Sequence, residues 1–200
     1  MNILVLGTSP IIRQGIISIL SMDCDQNKYY EVSTVNDALE RVKEVFIDIA
    51  FVDLHLGMDK ASEFIKKTKE TYDYIKYVII TFSENQYDLV VAEQLEVDGY
   101  IVRNALVEDI LYAMKVMSRN QKFIPPMLVD TIERAKREGY GSLTDRELEV
   151  FRLLKSGKTN AQISKELYIS EATTKKHVSN ILTKLNLSHR VDVVLYANRA

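Results

Sequence analysis

Residues 143–187 read LTDRELEVFRLLKSGKTNAQISKELYISEATTKKHVSNILTKLNL. The pattern predicts a helix, a loop around Gly157, a second helix from about Asn160, a tight turn at Tyr168–Ser170, and a third helix to about Leu185. Two short helices joined by a turn of three or four residues, the second carrying lysines, describe a helix-turn-helix. The segment therefore predicts a small all-helical domain at the end of the chain.

The third helix of this segment divides into two faces at about 100° per residue. The apolar arc holds Thr174, Val178, Ile181, Leu182 and Leu185, and the adjoining polar arc holds Lys175, Lys176, Ser179 and Thr183. An ordinary amphipathic helix with a solvated lysine pair gives the same division. However, short polar residues beside two lysines leave an uncrowded face that admits phosphates and base edges. Ser170 as N-cap and Glu171 in the first turn suit the start of such a helix.

The pattern LTxRExEV…GxTNxxISxxLxISxxTxKxHVSNILxKL resembles the carboxyl-terminal domain of NarL/LuxR-type transcription regulators over nearly all of residues 142–200. The resemblance implies a scaffold helix at Asn160–Leu167 and a recognition helix at Glu171–Leu185 that binds double-stranded DNA. It implies base or phosphate contacts from Lys175, Lys176 and Ser179, and further backbone contacts from Thr159, Asn160, Thr173 and Lys184.

Two positions of this domain are less clear-cut. His177 matches a family position, where either helix packing or a DNA contact would explain it. Thr174 departs from the family, which prefers an aliphatic residue there. The resemblance also implies a fourth helix at 189–199, with Val191, Val194 and Leu195 as its apolar residues, of the kind that mediates dimerisation in this family.

Charge is distributed unevenly along the chain. Residues 142–200 hold ten Lys and Arg against six Asp and Glu, whereas residues 1–120 hold twelve against nineteen, although the whole chain carries only −2. A basic end on an acidic protein is typical of a nucleic-acid-binding domain. The charge pattern therefore supports the prediction made from the helix-turn-helix.

Composition narrows the remaining function classes. The 200 residues are 46% hydrophobic, which is enough for two small packed domains. Cys24 is the only cysteine, so an intramolecular disulfide and a cysteine-cluster metal site are excluded. No apolar run reaches the roughly twenty residues that span a bilayer, and the amino terminus lacks the basic region of a signal peptide. We therefore expect a cytoplasmic protein without a membrane partner.

The first 120 residues alternate short apolar segments with helical ones. Strands are predicted at Ile3–Leu6, Glu31–Val35, Ile49–Val52, Tyr77–Thr81 and Gly99–Val102, and helices at about 10–20, 36–45, 59–70, 84–95 and 106–119. This alternation predicts a parallel, doubly wound α/β sheet, in which ligands bind at the carboxyl ends of the strands.

Asp53 follows the third strand in IAFVDLHLG. With the order of elements and the helix-turn-helix, it makes residues 1–120 resemble the receiver domain of a response regulator. The resemblance implies that Asp53 is the phosphoacceptor, that Thr81 is the hydroxyl that responds to phosphorylation, and that Tyr100 is the switch aromatic. Taken by itself, Asp53 is equally well interpreted as a solvated acid at the end of a strand.

The receiver site departs from the family pattern at several positions. Gly7 and Thr8 stand where two acids normally bind Mg²⁺, which prefers carboxylate oxygens. Arg103 replaces the site's lysine, Phe82 replaces a small residue after Thr81, and the loop after Asp53 lacks the usual proline. Phosphoryl transfer to an aspartate requires a cation that neutralises the developing charge. We therefore expect no cofactor, and a phosphoacceptor site that has lost phosphotransfer.

These observations predict a receiver-like domain at 1–120, a linker helix at 121–141 that begins at Pro125-Pro126, and a DNA-binding domain at 142–200. The predicted function is a DNA-binding transcription regulator that acts as a homodimer, through the last helix or through residues 84–119, and without aspartyl phosphate. A small ligand or another signalling partner would then supply the input. The alternative is a conventional regulator that a histidine kinase phosphorylates on Asp53. An enzyme such as an aspartate-dependent phosphatase is disfavoured, because His55 stands where its second acid is expected.

Overall fold

The computed structural model describes residues 1–23, 26–81, 86–102, 104–137 and 140–197. The chain forms two compact units, Met1–Glu84 with Ala92–Val129, and Asn85–Val91 with Asp130–Ala200. The division after Val129 falls inside the segment that the sequence predicts to be a linker.

The first unit is built on a five-stranded parallel sheet in the order β2-β1-β3-β4-β5. Its strands are β1 (Asn2–Leu6), β2 (Lys28–Val32), β3 (Ile49–Asp53), β4 (Lys76–Thr81) and β5 (Gly99–Val102). The four crossovers carry helices α1 (Pro10–Ser21), α2 (Val35–Glu44), α3 (Met58–Lys69) and α4 (Gln86–Gln94), and α5 (Val107–Ser118) follows β5. Parallel neighbours require such crossovers. The predicted doubly wound α/β fold is thus confirmed.

The second strand lies earlier than predicted, at Lys28–Val32 instead of Glu31–Val35. Thr34 is the N-cap of α2, since its hydroxyl accepts a hydrogen bond from the Asp37 backbone nitrogen at 3.1 Å. Val35 therefore begins a helix and cannot extend the strand. The strand is an edge strand whose first four residues are partly or fully exposed, so its apolar signal is weak.

The order of the strands reverses at β1, which lies between β2 and β3. In sheets of this kind the reversal leaves a crevice at the carboxyl ends of the strands. Gly7 follows β1 and Asp53 ends β3, so both lie at this crevice. The topology therefore places the predicted receiver site where functional sites of this fold are found.

The remaining helices are α6 (Pro126–Arg137), α7 (Asp145–Lys155), α8 (Asn160–Glu166), α9 (Glu171–Lys184) and α10 (Arg190–Ala197). α6 begins at the predicted pair of prolines and is shorter than the predicted linker of 121–141. The hydroxyls of Thr144, Thr159 and Ser170 cap α7, α8 and α9 by accepting the backbone N–H of the third residue of the helix. The four-helix arrangement predicted for the carboxyl-terminal domain is thus present in α7–α10.

A hydrophobic core joins α7, α8 and α9. Its buried members include Leu148, Phe151, Ile163 and Ile181, none more than 1% exposed. Each lies on the apolar face of its helix, so burial of these faces fixes how the three helices pack. No helix in the described ranges is both long enough and apolar enough to cross a membrane.

Candidate nucleic-acid interface and receiver site

The recognition helix α9 presents the two predicted faces. Thr174, Val178, Ile181 and Leu185 are buried and Leu182 is half-buried, whereas Lys175, Lys176, Ser179 and Thr183 are exposed. The Ser170 hydroxyl accepts a hydrogen bond from the Thr173 backbone nitrogen at 3.0 Å, so the helix begins where predicted. The polar side chains are thus held on a rigid element and are free of core contacts. Thr173, in the first turn, is exposed as well. We call the four exposed residues to which the resemblance assigns DNA contacts, Thr173, Lys175, Lys176 and Ser179, the polar face of α9.

Thr174 is fully buried despite its hydroxyl. The hydroxyl donates to the Ser170 carbonyl, one turn back along the helix, at 3.2 Å. This bond satisfies the polar atom inside the helix's own backbone, which explains how threonine replaces an aliphatic residue at this position.

The start of α8 is held by the last helix. The Arg190 guanidinium donates to Asn160 Oδ1 at 2.7 Å and also to the Lys158 carbonyl. Thr159 is exposed, while Asn160 is half-buried and already has one amide oxygen engaged. Arg190 therefore orients a residue that the family resemblance assigns to DNA, leaving the amide nitrogen of Asn160 as its remaining donor.

Lys184 has an internal role in this structure. Its ammonium group lies 2.6 Å from Glu147 Oε2 and donates to the Ser142 carbonyl at 2.8 Å. Glu147 is 3% exposed and also accepts from the Thr144 backbone nitrogen at 2.9 Å. The ion pair thus fastens the end of α9 to the start of α7, and the DNA-backbone contact predicted for Lys184 would compete with it.

The environment of Glu147 has opposing effects on its pKa. Burial raises the pKa, but hydrogen bonds from Lys184 and Thr144, with the positive charge of Lys184, outweigh it and hold the pKa below its usual range. The carboxylate is therefore charged at neutral pH, and the pair is an ionic one.

His177 lies on α9 between its two faces and is half-buried. Its Nδ1 is buried and has no hydrogen-bond partner among the described residues. A ring nitrogen turned into the domain favours helix packing over DNA contact for this side chain, the first of the two interpretations that the sequence left open.

The last helix, α10, exposes residues that the sequence predicts to be its apolar face. Val193 is fully buried, whereas Val191 is 66% and Leu195 is 61% exposed. These two side chains are one helical turn apart, so they form an apolar strip on the surface. The family resemblance predicts dimerisation through this helix, and an exposed apolar strip is what such a role requires.

The receiver site collects three of the predicted positions at the carboxyl edge of the sheet. Asp53 pairs in register with Ile80, one residue before Thr81, and both Asp53 and Thr81 are 1% exposed. Gly7 is buried beside them, while Thr8 is exposed. Phe82 and Arg103 lie outside the described residues. The fold thus brings Gly7, Asp53 and Thr81 together as predicted.

Gly7 packs directly against Asp53. A β-carbon placed on Gly7 would lie 2.9 Å from Asp53 Cβ and 3.3 Å from its Oδ2. Carbon atoms in favourable contact are about 3.5–4.0 Å apart, so even an alanine side chain at position 7 overlaps Asp53. The space that a metal-binding acid would need at this position is therefore filled by Asp53 itself.

The two carboxylate oxygens of Asp53 have different surroundings. Oδ1 accepts a hydrogen bond from the His55 backbone nitrogen at 3.0 Å, which caps a short 3-10 turn at Leu54–Leu56. Oδ2 is buried and has no hydrogen-bond donor in the ranges that the structure describes. Elsewhere in those ranges, no group of three His, Cys, Asp or Glu side chains is arranged to hold a metal ion. The donor set of Gly7, Thr8 and Asp53 does not fit a Mg²⁺ site, which prefers several carboxylate oxygens.

A buried arginine that the sequence did not single out lies next to this site. Arg13 is 8% exposed, donates to the Gly7 carbonyl at 2.5 Å, and forms an ion pair with Glu31 at 2.7 Å. The guanidinium thus fixes the β1–α1 connection whose first residue touches Asp53. Its partner lies 18 residues away on the edge strand, so the sequence offers no spacing that would identify the pair.

Tyr100 is 2% exposed, which places the predicted switch aromatic inside the domain. Burial, with a smaller contribution from the charge of Glu93, raises the pKa of its phenol far above the usual value. The side chain is therefore neutral at physiological pH and serves as part of the core.

Comparison with known proteins supports the two resemblances. Residues 141–197 match the family model of bacterial regulatory proteins of the luxR family. The chain is 31% identical over 199 residues to the response regulator protein VraR of Staphylococcus aureus, covering 98% of this chain and 95% of that protein. Among solved structures, RcsB of Salmonella enterica serovar Typhimurium bound to promoter P1flhDC has a TM-score of 0.75 at 19% identity, covering 100% of this chain and 99% of the other. A further structure of the Salmonella typhimurium RcsB response regulator has a TM-score of 0.65 at 20% identity, with 99% of each chain covered.

The structural likenesses, at this low identity, establish the fold, and the full-length likeness to VraR establishes the family. The chain is a DNA-binding transcription regulator that belongs to the NarL/LuxR-type response regulators.

Proposed function

We propose that this regulator binds double-stranded DNA as a homodimer through the polar face of α9, and that it does so without phosphorylation of Asp53. The observation that carries the second part is the contact between Gly7 and Asp53. At position 7, where the family has one acid of its metal-binding pair, this contact leaves no room for a side chain.

The polar face of α9 supports the DNA-binding part. Its lysines, threonine and serine are exposed on a helix whose opposite side is buried, as major-groove recognition requires. The relative RcsB is described in complex with DNA and as two dimers bound to two parallel DNAs. One helix-turn-helix reads a half-site, so two half-sites one helical turn apart need a two-fold dimer. The exposed strip of Val191 and Leu195 supplies one surface for it.

The receiver site supports independence from phosphorylation. Transfer of a phosphoryl group to a carboxylate brings anionic oxygens together, and a divalent cation normally neutralises that charge. Asp53 has no neighbouring carboxylate at positions 7 or 8 with which to share a cation. The cue that sets the activity of the domain would then be a ligand or a protein partner.

A footprint tests both parts. Wild-type protein, Lys175→Ala and Lys176→Ala are footprinted on the DNA upstream of the regulator's own gene, with Lys155→Ala on α7 as a control for loss of charge alone. We expect each recognition-helix variant to weaken protection, and a pure phosphate contact to lower the slope of log K against log salt by about one unit. Duplexes with one half-site removed should bind one chain less and more weakly. Unchanged affinity of both variants at matched salt contradicts the assigned face.

The same footprint, repeated with a small-molecule phosphodonor and Mg²⁺ and with Asp53→Asn, tests the receiver. We expect equal protection in every case and no phosphorylated band on a Phos-tag gel. Stoichiometric, Mg²⁺-dependent phosphorylation of Asp53 would instead establish the alternative, a conventional regulator driven by a histidine kinase. The position of Asp53 and Thr81 at one edge of the sheet is the observation that favours that alternative.

A further inference from the structure

The three helices α7, α8 and α9 end in the same local structure. In each, the backbone nitrogen two residues past the C-cap donates to a carbonyl in the last turn: Lys158 to Leu153 at 3.1 Å, Ile169 to Ser164 at 3.0 Å, and Leu187 to Leu182 at 2.8 Å. This is the Schellman motif, in which the residue just past the C-cap adopts a left-handed conformation. The three residues in that position are Gly157, Tyr168 and Asn186, with φ of 78°, 54° and 53°.

Two of these residues are the usual ones for the position, and Tyr168 is not. Glycine carries no β-carbon, and asparagine tolerates the left-handed region better than other side chains. A tyrosine there is strained, and its ring is 95% exposed, so packing within the domain does not offset the strain. The free protein therefore gains nothing from this side chain that glycine or asparagine would not supply.

The backbone on both sides of Tyr168 is held firmly. The Arg146 guanidinium donates to the Leu167 carbonyl at 2.7 Å, and the Ile169 nitrogen is bound to Ser164 by the Schellman bond. Tyr168 is thus directed outward from a fixed point, two residues before Ser170, the N-cap of α9. In a helix-turn-helix the amino-terminal residues of the recognition helix contact base edges in the major groove, while the preceding helix crosses the sugar-phosphate backbone. The turn that joins the two helices is therefore close to that backbone.

We infer that Tyr168 contacts the DNA backbone, its hydroxyl donating to a phosphate oxygen and its ring lying against the adjoining sugar. Tyrosine is among the side chains that make such phosphate contacts, which fix the position of the protein on the duplex without reading sequence. The guanidinium of Arg146 beside the turn is about one-third exposed and is paired with Glu149 at 2.5 Å, so the contact proposed for Tyr168 does not depend on added charge. This inference rests on the proposed DNA-binding function and adds a contact that precedes the polar face of α9.

The test compares Tyr168→Asn and Tyr168→Phe with wild-type protein in the full chain. The probe is a fluorescein-labelled DNA duplex of mixed sequence, long enough for two half-sites, since a backbone contact does not depend on sequence. We expect Tyr168→Asn to weaken binding about tenfold, the value of one hydrogen bond to a charged group. We expect its melting temperature to rise, because asparagine suits the left-handed backbone. Tyr168→Phe should show most of the same tenfold loss of affinity, but without the rise in melting temperature.

The salt dependence separates this contact from that of a lysine. Tyr168 is uncharged, so Tyr168→Asn should leave the slope of log K against log salt unchanged, whereas Lys175→Ala should lower it by about one unit. If Tyr168→Asn binds the duplex as tightly as wild type while Lys175→Ala binds weakly, the inference about Tyr168 is overturned and the proposed function stands. If wild-type protein does not bind the duplex, the proposed function fails first.

Discussion

Replacement of Glu147 by glutamine should loosen the recognition helix by removing one charge. The ion pair between Glu147 and Lys184 joins the first turn of α7 to the last turn of α9 at 2.6 Å. Glutamine is nearly the same size and can still accept the hydrogen bond from the Thr144 backbone nitrogen. The substitution therefore removes the charge of the pair and leaves the cap of α7 in place.

The magnitude follows from how deeply each partner is buried. Breaking a fully buried pair costs about 3–5 kcal/mol, because one charge is left without a partner in the interior. Exposed pairs contribute about 0–1 kcal/mol. The Glu147 side chain is 4% exposed but that of Lys184 is 34% exposed, and the Lys184 ammonium keeps the Ser142 carbonyl as an acceptor. We therefore expect Glu147→Gln to cost about 1–2 kcal/mol, between these limits.

The loss should depend on pH in one direction. The pKa of Glu147 is lowered in the folded protein from the ordinary value of 4.5, so its contribution to stability is present above that value. It is lost as pH falls through the folded pKa. The difference in unfolding free energy between wild type and Glu147→Gln should accordingly be constant near neutral pH and shrink below about pH 4.5.

Urea unfolding followed by far-ultraviolet circular dichroism measures this difference, since the chain has no tryptophan to report by fluorescence. Glu166→Gln serves as the matched control. Glu166 pairs with Lys158 in the same domain, but both side chains are more than one-third exposed, and its loss should be barely measurable. Equal losses for the two variants, or a Glu147→Gln loss that does not change with pH, would refute the assignment of an ionic role to the buried pair.

Two other substitutions and one titration test separate parts of the structure. Gly7→Ala should lower the unfolding free energy by about 1–3 kcal/mol, because its β-carbon overlaps Asp53, and an unchanged urea midpoint would show that the two residues are not in contact. Arg190→Gln should weaken binding to operator DNA by a few-fold through release of Asn160, with little effect on the melting temperature, and fluorescence anisotropy at fixed salt checks it. Tyr77 should titrate near pH 12 in an absorbance titration, because burial raises its pKa to about 12 despite a hydrogen bond to a buried threonine. The free energy of unfolding should accordingly fall as pH rises from 10 to 12. Titration of Tyr77 at pH 10 would mean that its ring is solvated.

Sequence periodicity identified the elements whose faces differ sharply in burial. The spacing of apolar residues in α9 predicted which side is buried, and the alternation of strands and helices predicted the parallel sheet. β2 was misplaced by three residues, because an edge strand with half-buried tyrosines and exposed charged residues carries no strong apolar run. Periodicity therefore located buried faces reliably and failed where burial was partial.

Roles that depend on a distant partner could not be predicted in the same way. Lys184 follows the pattern of a surface lysine on a DNA-binding helix, and only the folded chain brings it to Glu147, 37 residues earlier. The meeting of Gly7 and Asp53 at one edge of the sheet followed from topology. That they leave no room for a side chain between them depends on tenths of an ångström, which no sequence pattern records.

The presence of Asp53 has an explanation that does not need phosphorylation. Its Oδ1 accepts the His55 backbone N–H at 3.0 Å and so caps the turn that ends β3. An acid retained for phosphoryl transfer requires a second acid nearby to share a cation, and position 7 cannot supply one without displacing Asp53. An acid retained for the turn requires only the backbone that it caps. The geometry satisfies the second requirement, and at position 7 it does not satisfy the first, so the cap by itself accounts for an acid at the end of β3.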